Sequence, residues 1–194
     1  DVSEGAILLD GIDIREYDMF ELRSRLGVIP QKAFLFHGTI ADTISFGKPD
    51  ATMEEVEHAA KVAKAYDFIM EKDHGFEEEI TESATNISGG QKQRLSIARA
   101  LVRKPDVYVF DDSFSALDFK TDAILRKELK KETKDAIVMV VAQRISSIMD
   151  ADQIIVLNEG NVVGKGTHKE LLKNCDIYRE IALSQLSEEE LSHE

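Results

Sequence analysis

Two stretches of the sequence, "VYVFD" at residues 107–111 and "AIVMVVAQ" at 136–143, are continuous apolar runs rather than alternating ones. Between them "TDAILRKELKKE" (121–132) has the pattern of a helix. A strand, a helix and a strand, with both strands apolar on each face, make a parallel sheet covered by helices on both sides. That limits the chain to the α/β class. Antiparallel pieces flank this unit: "AILLDGIDI" (6–14) alternates about Asp10-Gly11, and "QIIVLNEGNVVGKG" (153–166) turns at Glu159-Gly160, so each is expected to be a hairpin.

Between the first hairpin and the apolar runs the character changes. "MFELRSRL" (19–26) makes a short helix, and "GVIPQ" (27–31) a brief strand ending at Gln31, because Pro30 disfavours helix in the residue before it. From Gly38 to about Lys104 the chain is helical: Val56, Ala59, Ala60, Ala63 and Ile69 fall near helical spacing behind a Thr52/Glu55 capping box. Thr167 and Glu170 cap a later helix, and the tail "SEEELSHE" (187–194) is expected to be solvated and frayed.

Composition narrows the function classes. At 194 residues and 43% hydrophobic content, the chain holds one large domain, or a core with a smaller lobe. Lys and Arg number 24 against 37 Asp and Glu, a formal net charge of −13, which argues against nucleic acid as a partner. Cys175 is the only cysteine, so no internal disulfide forms and a buried or idle thiol is expected, in a reducing setting. No apolar run reaches the roughly 20 residues of a membrane helix, and the first residues lack the pattern of a signal peptide. Any membrane link is therefore expected through a partner or a segment outside this sequence. Asn86-Ile87-Ser88 fits the glycosylation pattern but, without a secretory signal, is read as unmodified. His37, His58, His74, His168 and His193 show no metal-ligand spacing, which leaves surface or capping roles.

The chemistry concentrates in two strings. In "ISGGQKQRLSIARALVRKP" (87–105), Ser88 precedes two glycines, and Leu95, Ala98, Leu101 and Val102 share one helical face. Bare glycine amides, a serine hydroxyl and the positive end of a helix dipole suit an anion such as phosphate, although such a start taken alone is more often a plain cap. In "DVYVFDDSFSALD" (106–118), a buried strand runs into two adjacent carboxylates, Asp111 and Asp112.

The order of these strings, with serine, two glycines, glutamine and "IARAL" followed by an apolar strand ending in two acids and "SALD", resembles the nucleotide-binding domain of ATP-binding cassette (ABC) transporters over essentially the whole chain. The resemblance implies a RecA-like P-loop NTPase core with a mainly parallel sheet, an antiparallel hairpin region and an inserted α-helical subdomain. Residues 1–37 and 105–194 would form the ATP-binding core, and 38–104 the helical signature subdomain. It implies ATP and Mg2+ as ligands, with Gln31 as the metal-sensing glutamine and Asp111 as the magnesium-site aspartate. Ser88, Gly89, Gly90 and Gln91 match the signature motif, and Ser115 to Asp118 the D-loop. "FLFHGTIADTISFG" (34–47) and Glu82 resemble the exporter branch, whose helical lobe meets the membrane domain's coupling helices.

Three departures qualify it. No G-x-x-x-x-G-K-[ST] loop occurs in the sequence; in the family that loop precedes the hairpin at this chain's start, so the parent chain is expected to supply it upstream, together with a transmembrane domain. Asp112 stands where the family has a glutamate that polarises the attacking water, one methylene short. Gln143 stands where the family has a histidine contacting the γ-phosphate. Two such changes at one centre resemble the degenerate half of a heterodimeric exporter. The chain would then lend Ser88 to Gln91 to a second half-transporter's site, while its own Asp111/Asp112/Gln143 site hydrolyses ATP slowly at the cytoplasmic face of the membrane. A soluble ABC ATPase acting on DNA or ribosomes, and a non-hydrolytic regulatory subunit, are the alternatives.

Overall fold

A computed structural model describes residues 2–81 and 84–186. The chain divides into two compact units, Asp1–Val141 and Ala142–Glu194.

The first unit opens with the hairpin of β1 (Leu8–Leu9) and β2 (Ile12–Asp13). Its two turn residues, Asp10 and Gly11, both have positive φ (52° and 80°), as the tightest hairpin turns require. A short helix α1 (Met19–Ser24), capped by the Asp18 carboxylate, leads into β3 (Leu26–Ile29). The helical segment follows: β4 (Gly38–Thr39), α2 (Ile40–Ser45), α3 (Met53–Val62), α4 (Tyr66–Met70), β5 (Glu79–Ile80) and α5 (Gly89–Leu101). The chain then returns through β6 (Val107–Asp111), α6 (Phe119–Glu132) and β7 (Ile137–Val141).

The parallel sheet runs β3-β6-β7, with β6 in the centre. Most of β6 is buried, as its apolar run requires. The same expectation fails for β7: Ile137, Val138, Met139 and Val141 are 42–60% exposed, and among the described residues β6 is its only sheet neighbour. An apolar run reports what a strand is able to bury; β7 stands at the sheet's edge, where no described helix closes over it.

Val56, Ala59, Ala60, Ala63 and Ile69 all lie in the core, but on two helices, because the backbone turns left-handed at Lys64 (φ 55°) between α3 and α4. Leu95, Ile97 and Ala98 of α5 are fully buried at the centre of this core. Gly47, just beyond α2, touches α5 directly: a Cβ there would stand 2.0 Å from the Arg99 carbonyl oxygen. The expected Thr52/Glu55 box is present, and similar boxes join Thr39 to Asp42 and Ser88 to Gln91. Asn86 accepts from the Thr81 N–H at 3.2 Å and donates to the Glu79 carbonyl at 2.8 Å, bracing the loop before α5.

The second unit comprises the antiparallel pair β8 (Ile154–Asn158) and β9 (Asn161–Gly166), then α7 (His168–Asn174) and α8 (Asp176–Gln185). Its turn is Glu159-Gly160, again with two positive φ values, and Thr167/Glu170 caps α7. Ile154, Val156, Leu171, Tyr178 and Ala182 form a small core that also buries Cys175. His168 is not at the surface: it is 7% exposed, and its Nδ1 lies 2.7 Å from the Tyr178 hydroxyl. Glu82, read as an exporter-like feature, and the tail 187–194 lie outside the described residues. Among the described residues, no helix is long and apolar enough to cross a membrane.

Candidate functional site

Because β3 and β6 are parallel neighbours, with Ile29 opposite Phe110, their carboxyl ends deliver Gln31 and the Asp111/Asp112 pair to one place. Ligands of parallel α/β sheets bind outside such strand ends. Gln31 Nε2 donates to Asp112 Oδ2 at 3.0 Å. Asp112 has φ +44°, a left-handed conformation that Asp and Asn adopt more readily than most side chains. Its N–H donates to the Val141 carbonyl at 2.8 Å, and its own carbonyl accepts from Ser115 Oγ at 2.8 Å.

The backbone before Gln31 is pinned from two sides. Ser113, fully buried, donates its hydroxyl to the Ile29 carbonyl at 2.8 Å. Gln93, on α5 and 1% exposed, donates Nε2 to the Pro30 carbonyl at 3.1 Å. Neither residue stands out in a reading by motif. A signal exists for Gln93: it shares a helical face with the buried Ile97 and Ala100, so its amide must find a partner inside.

The second cluster is the start of α5. Ser88 Oγ accepts the Gln91 N–H at 3.3 Å, and Gln91 Oε1 accepts the Ser88 N–H at 2.9 Å, so both side chains cap their own helix. A Cβ at Gly89 would meet no atom within 4 Å, whereas one at Gly90 would stand 3.4 Å from the Ala116 carbonyl. The first turn of α5 carries no acidic residue, so no side-chain charge offsets its positive dipole end. Asp118 caps α6 by accepting the Thr121 N–H at 2.9 Å, and the Thr121 hydrogen bonds hold its carboxyl below the usual range. Arg94 packs over the Phe68 ring at 4.8 Å and donates to the Lys64 carbonyl at 2.6 Å; burial pushes its pKa down, opposed by the charges of Asp118 and Asp67. Gln143 belongs to the second unit, where its carbonyl accepts from Gln185 Nε2 at 2.8 Å.

As metal ligands, the Asp111 carboxylate and the Gln31 amide oxygen are hard donors. Among the described residues no group of three or more His, Cys, Asp or Glu side chains could hold an ion. Such a sparse oxygen set fits Mg2+, which is commonly held by one or two carboxylates with waters and substrate phosphates completing its shell.

The ABC transporter family model matches residues 1–115. An uncharacterized ABC transporter ATP-binding protein of Mycobacterium tuberculosis is 47% identical over 188 residues, which are 95% of this chain and 32% of that protein. Another, from Bacillus subtilis, is 44% identical over 177 residues, 91% of this chain and 30% of that one. A solved structure of a bacterial Atm1-family ABC exporter with ATP bound superposes with a TM-score of 0.93 at 38% identity, covering 97% of this chain and 33% of that one. The chain thus spans about a third of the length of these two relatives. The parallel sheet, the hairpins and this superposition bear out the expected α/β class.

Proposed function

The chain belongs to the ABC transporter family, and from that premise we propose that it is the ATP-binding and ATP-hydrolysing domain of an exporter, acting at the cytoplasmic face of a membrane through ATP-driven dimer closure. The observation that carries this is the meeting of Gln31 with the Asp111/Asp112 pair at the carboxyl ends of adjacent parallel strands. In this reading Asp111 and Gln31 face Mg2+, which when bound neutralises charge developing on the phosphate oxygens. Ser88 to Gln91 offer backbone N–H groups, a hydroxyl and the α5 dipole to the γ-phosphate of a nucleotide held by a second chain, and Asp118 stands at the same junction. The helical subdomain 38–104 carries the force to the membrane domain of the parent chain. An exposed aromatic group at its entry supports this: Phe34 and Phe36, just before residue 38, pack edge-on (5.2 Å between centroids), Phe36 packs against Phe46 of the subdomain (4.5 Å), and all three are 42–65% exposed.

The chain's own site is the slow one of a heterodimer. Asp112 is one methylene shorter than the family's glutamate and Gln143 cannot become cationic, so water activation and γ-phosphate contact are both weakened. A non-hydrolytic regulatory role is the second reading, favoured by the engagement of Asp112 with Gln31.

Gly89→Asp in the full-length dimer tests the signature assignment. The site has room for a side chain, and a carboxylate in the first turn of α5 favours the helix dipole, so heat stability should be unchanged or slightly raised. The same charge repels phosphate, so ATPase activity should fall to a small residue. Activity at the parent level with the variant folded would remove Ser88 to Gln91 from the reaction.

A further inference from the structure

We infer that Asp112 is a positioning residue for Gln31: its carboxylate takes one face of the Gln31 amide and leaves the other directed to the metal. The inference rests on the proposed role of Gln31 as a metal-facing residue. A carboxamide has two ends with opposite chemistry, an N–H2 that only donates and an oxygen that only accepts, and a cation can use only the oxygen. Left alone, the group turns about its last bond and presents either end. With Nε2 committed to Asp112 Oδ2 at 3.0 Å, rotation is stopped in the one sense that leaves Oε1 unspent on that contact.

For such a contact to position anything, its acceptor must itself be fixed, and here it is. The Asp112 backbone is held at φ +44° by its N–H to Val141 and by Ser115 Oγ on its carbonyl. The donor side is fixed as firmly, since Ser113 holds the carbonyl of Ile29 and Gln93 that of Pro30, the two residues before Gln31. Gln31 is thus clamped between the acid turn and α5, the helix whose start carries Ser88 to Gln91. The brevity of Asp112 acquires a use: the chain that reaches least toward a substrate water keeps its carboxylate on the glutamine.

The test uses the full-length protein in its assembled dimer, with Mn2+ as the probe and a non-hydrolysable ATP analogue present. Bound Mn2+ is read by electron paramagnetic resonance. Asp112→Ala should weaken Mn2+ retention about fivefold, the worth of one hydrogen bond. In a Gln31→Ala background the same change should cost less than about twofold, because nothing is left to position. Asp112→Asn, whose carbonyl still accepts from Nε2, should stay within about twofold of the parent. Should Asp112→Ala not fold at its positive φ, Asp112→Gly removes the same acceptor without strain. An equal penalty in both backgrounds overturns the inference, since the carboxylate would then act on the ion by charge alone and leave the metal-facing role of Gln31 standing. If Gln31→Ala by itself leaves Mn2+ retention unchanged, the metal-facing role falls and the inference with it.

Discussion

Asp112 combines a short side chain with a left-handed backbone, and the two belong together. Asp is among the few residues at ease at φ +44°, so extending it to Glu trades backbone comfort for reach. On the proposed reading of this site as the slow one of a heterodimer, Asp112→Glu in the full-length dimer, with the partner's equivalent glutamate neutralised, should raise its single-turnover rate, though only in part. Adding Gln143→His should lift it by more than the two separate effects combined if, as the resemblance implies, both residues serve one transition state. No rise in either variant would place the defect elsewhere in the site. At this scale the sequence made the residue types legible: two adjacent acids after a buried strand, and a polar side chain at a strand end. What it could not display was pairing across the chain, since Gln31 meets Asp112 from 81 positions away and Ser113 meets Ile29 from 84. Hydrogen bonds of that span follow from strand register, and register becomes visible only once β3 and β6 lie side by side.

Six of the eight described α-helices begin on a carboxylate or hydroxyl cap, with a common electrostatic signature; α4 and α8 have no side-chain cap. Asp42, Glu55, Asp118 and Glu170 are all held below the usual carboxylate range: Asp42, Asp118 and Glu170 chiefly by N–H groups at their own helix starts, Glu55 first by Lys48. A carboxyl whose folded pKa is depressed contributes stability that is fully present above its unfolded pKa, about 4, and is lost as pH falls through the folded value. Heat unfolding should therefore shift to lower temperature as pH drops below about 4. Asp118→Asn, which keeps an acceptor at the start of α6 but cannot titrate, should flatten that dependence. An unchanged acid slope would show that Asp118 caps α6 without contributing to it. Two of the four capping boxes were plain from Thr and Glu at the right spacing. At Ser88 a cap was legible but its reciprocal bond from Gln91 was not, because the same residues also fit a ligand site, and the break at Lys64 was hidden because nothing in "VAKAY" interrupts the helical spacing.

Taken as a whole, the chain holds the proposed metal-facing residues, while no G-x-x-x-x-G-K-[ST] loop occurs in its sequence. The 194-residue chain by itself should bind Mg-ATP no more tightly than about millimolar by calorimetry, because the proposed ligands Asp111 and Gln31 would hold the ion while no phosphate-binding loop of that pattern would hold the phosphates. Micromolar binding would mean that another surface of the chain holds the triphosphate. The exposed edge of β7 bears on a different matter, the protein's life in the cell. Five consecutive apolar residues, "IVMVV", with one row of backbone groups unclaimed by any described strand, invite pairing with whatever strand passes. Chaperones and proteases triage molecules by such surfaces. A copy whose β7 stays uncovered would present that surface within one hydrogen bond of the acid turn, since the Val141 carbonyl accepts from the Asp112 N–H.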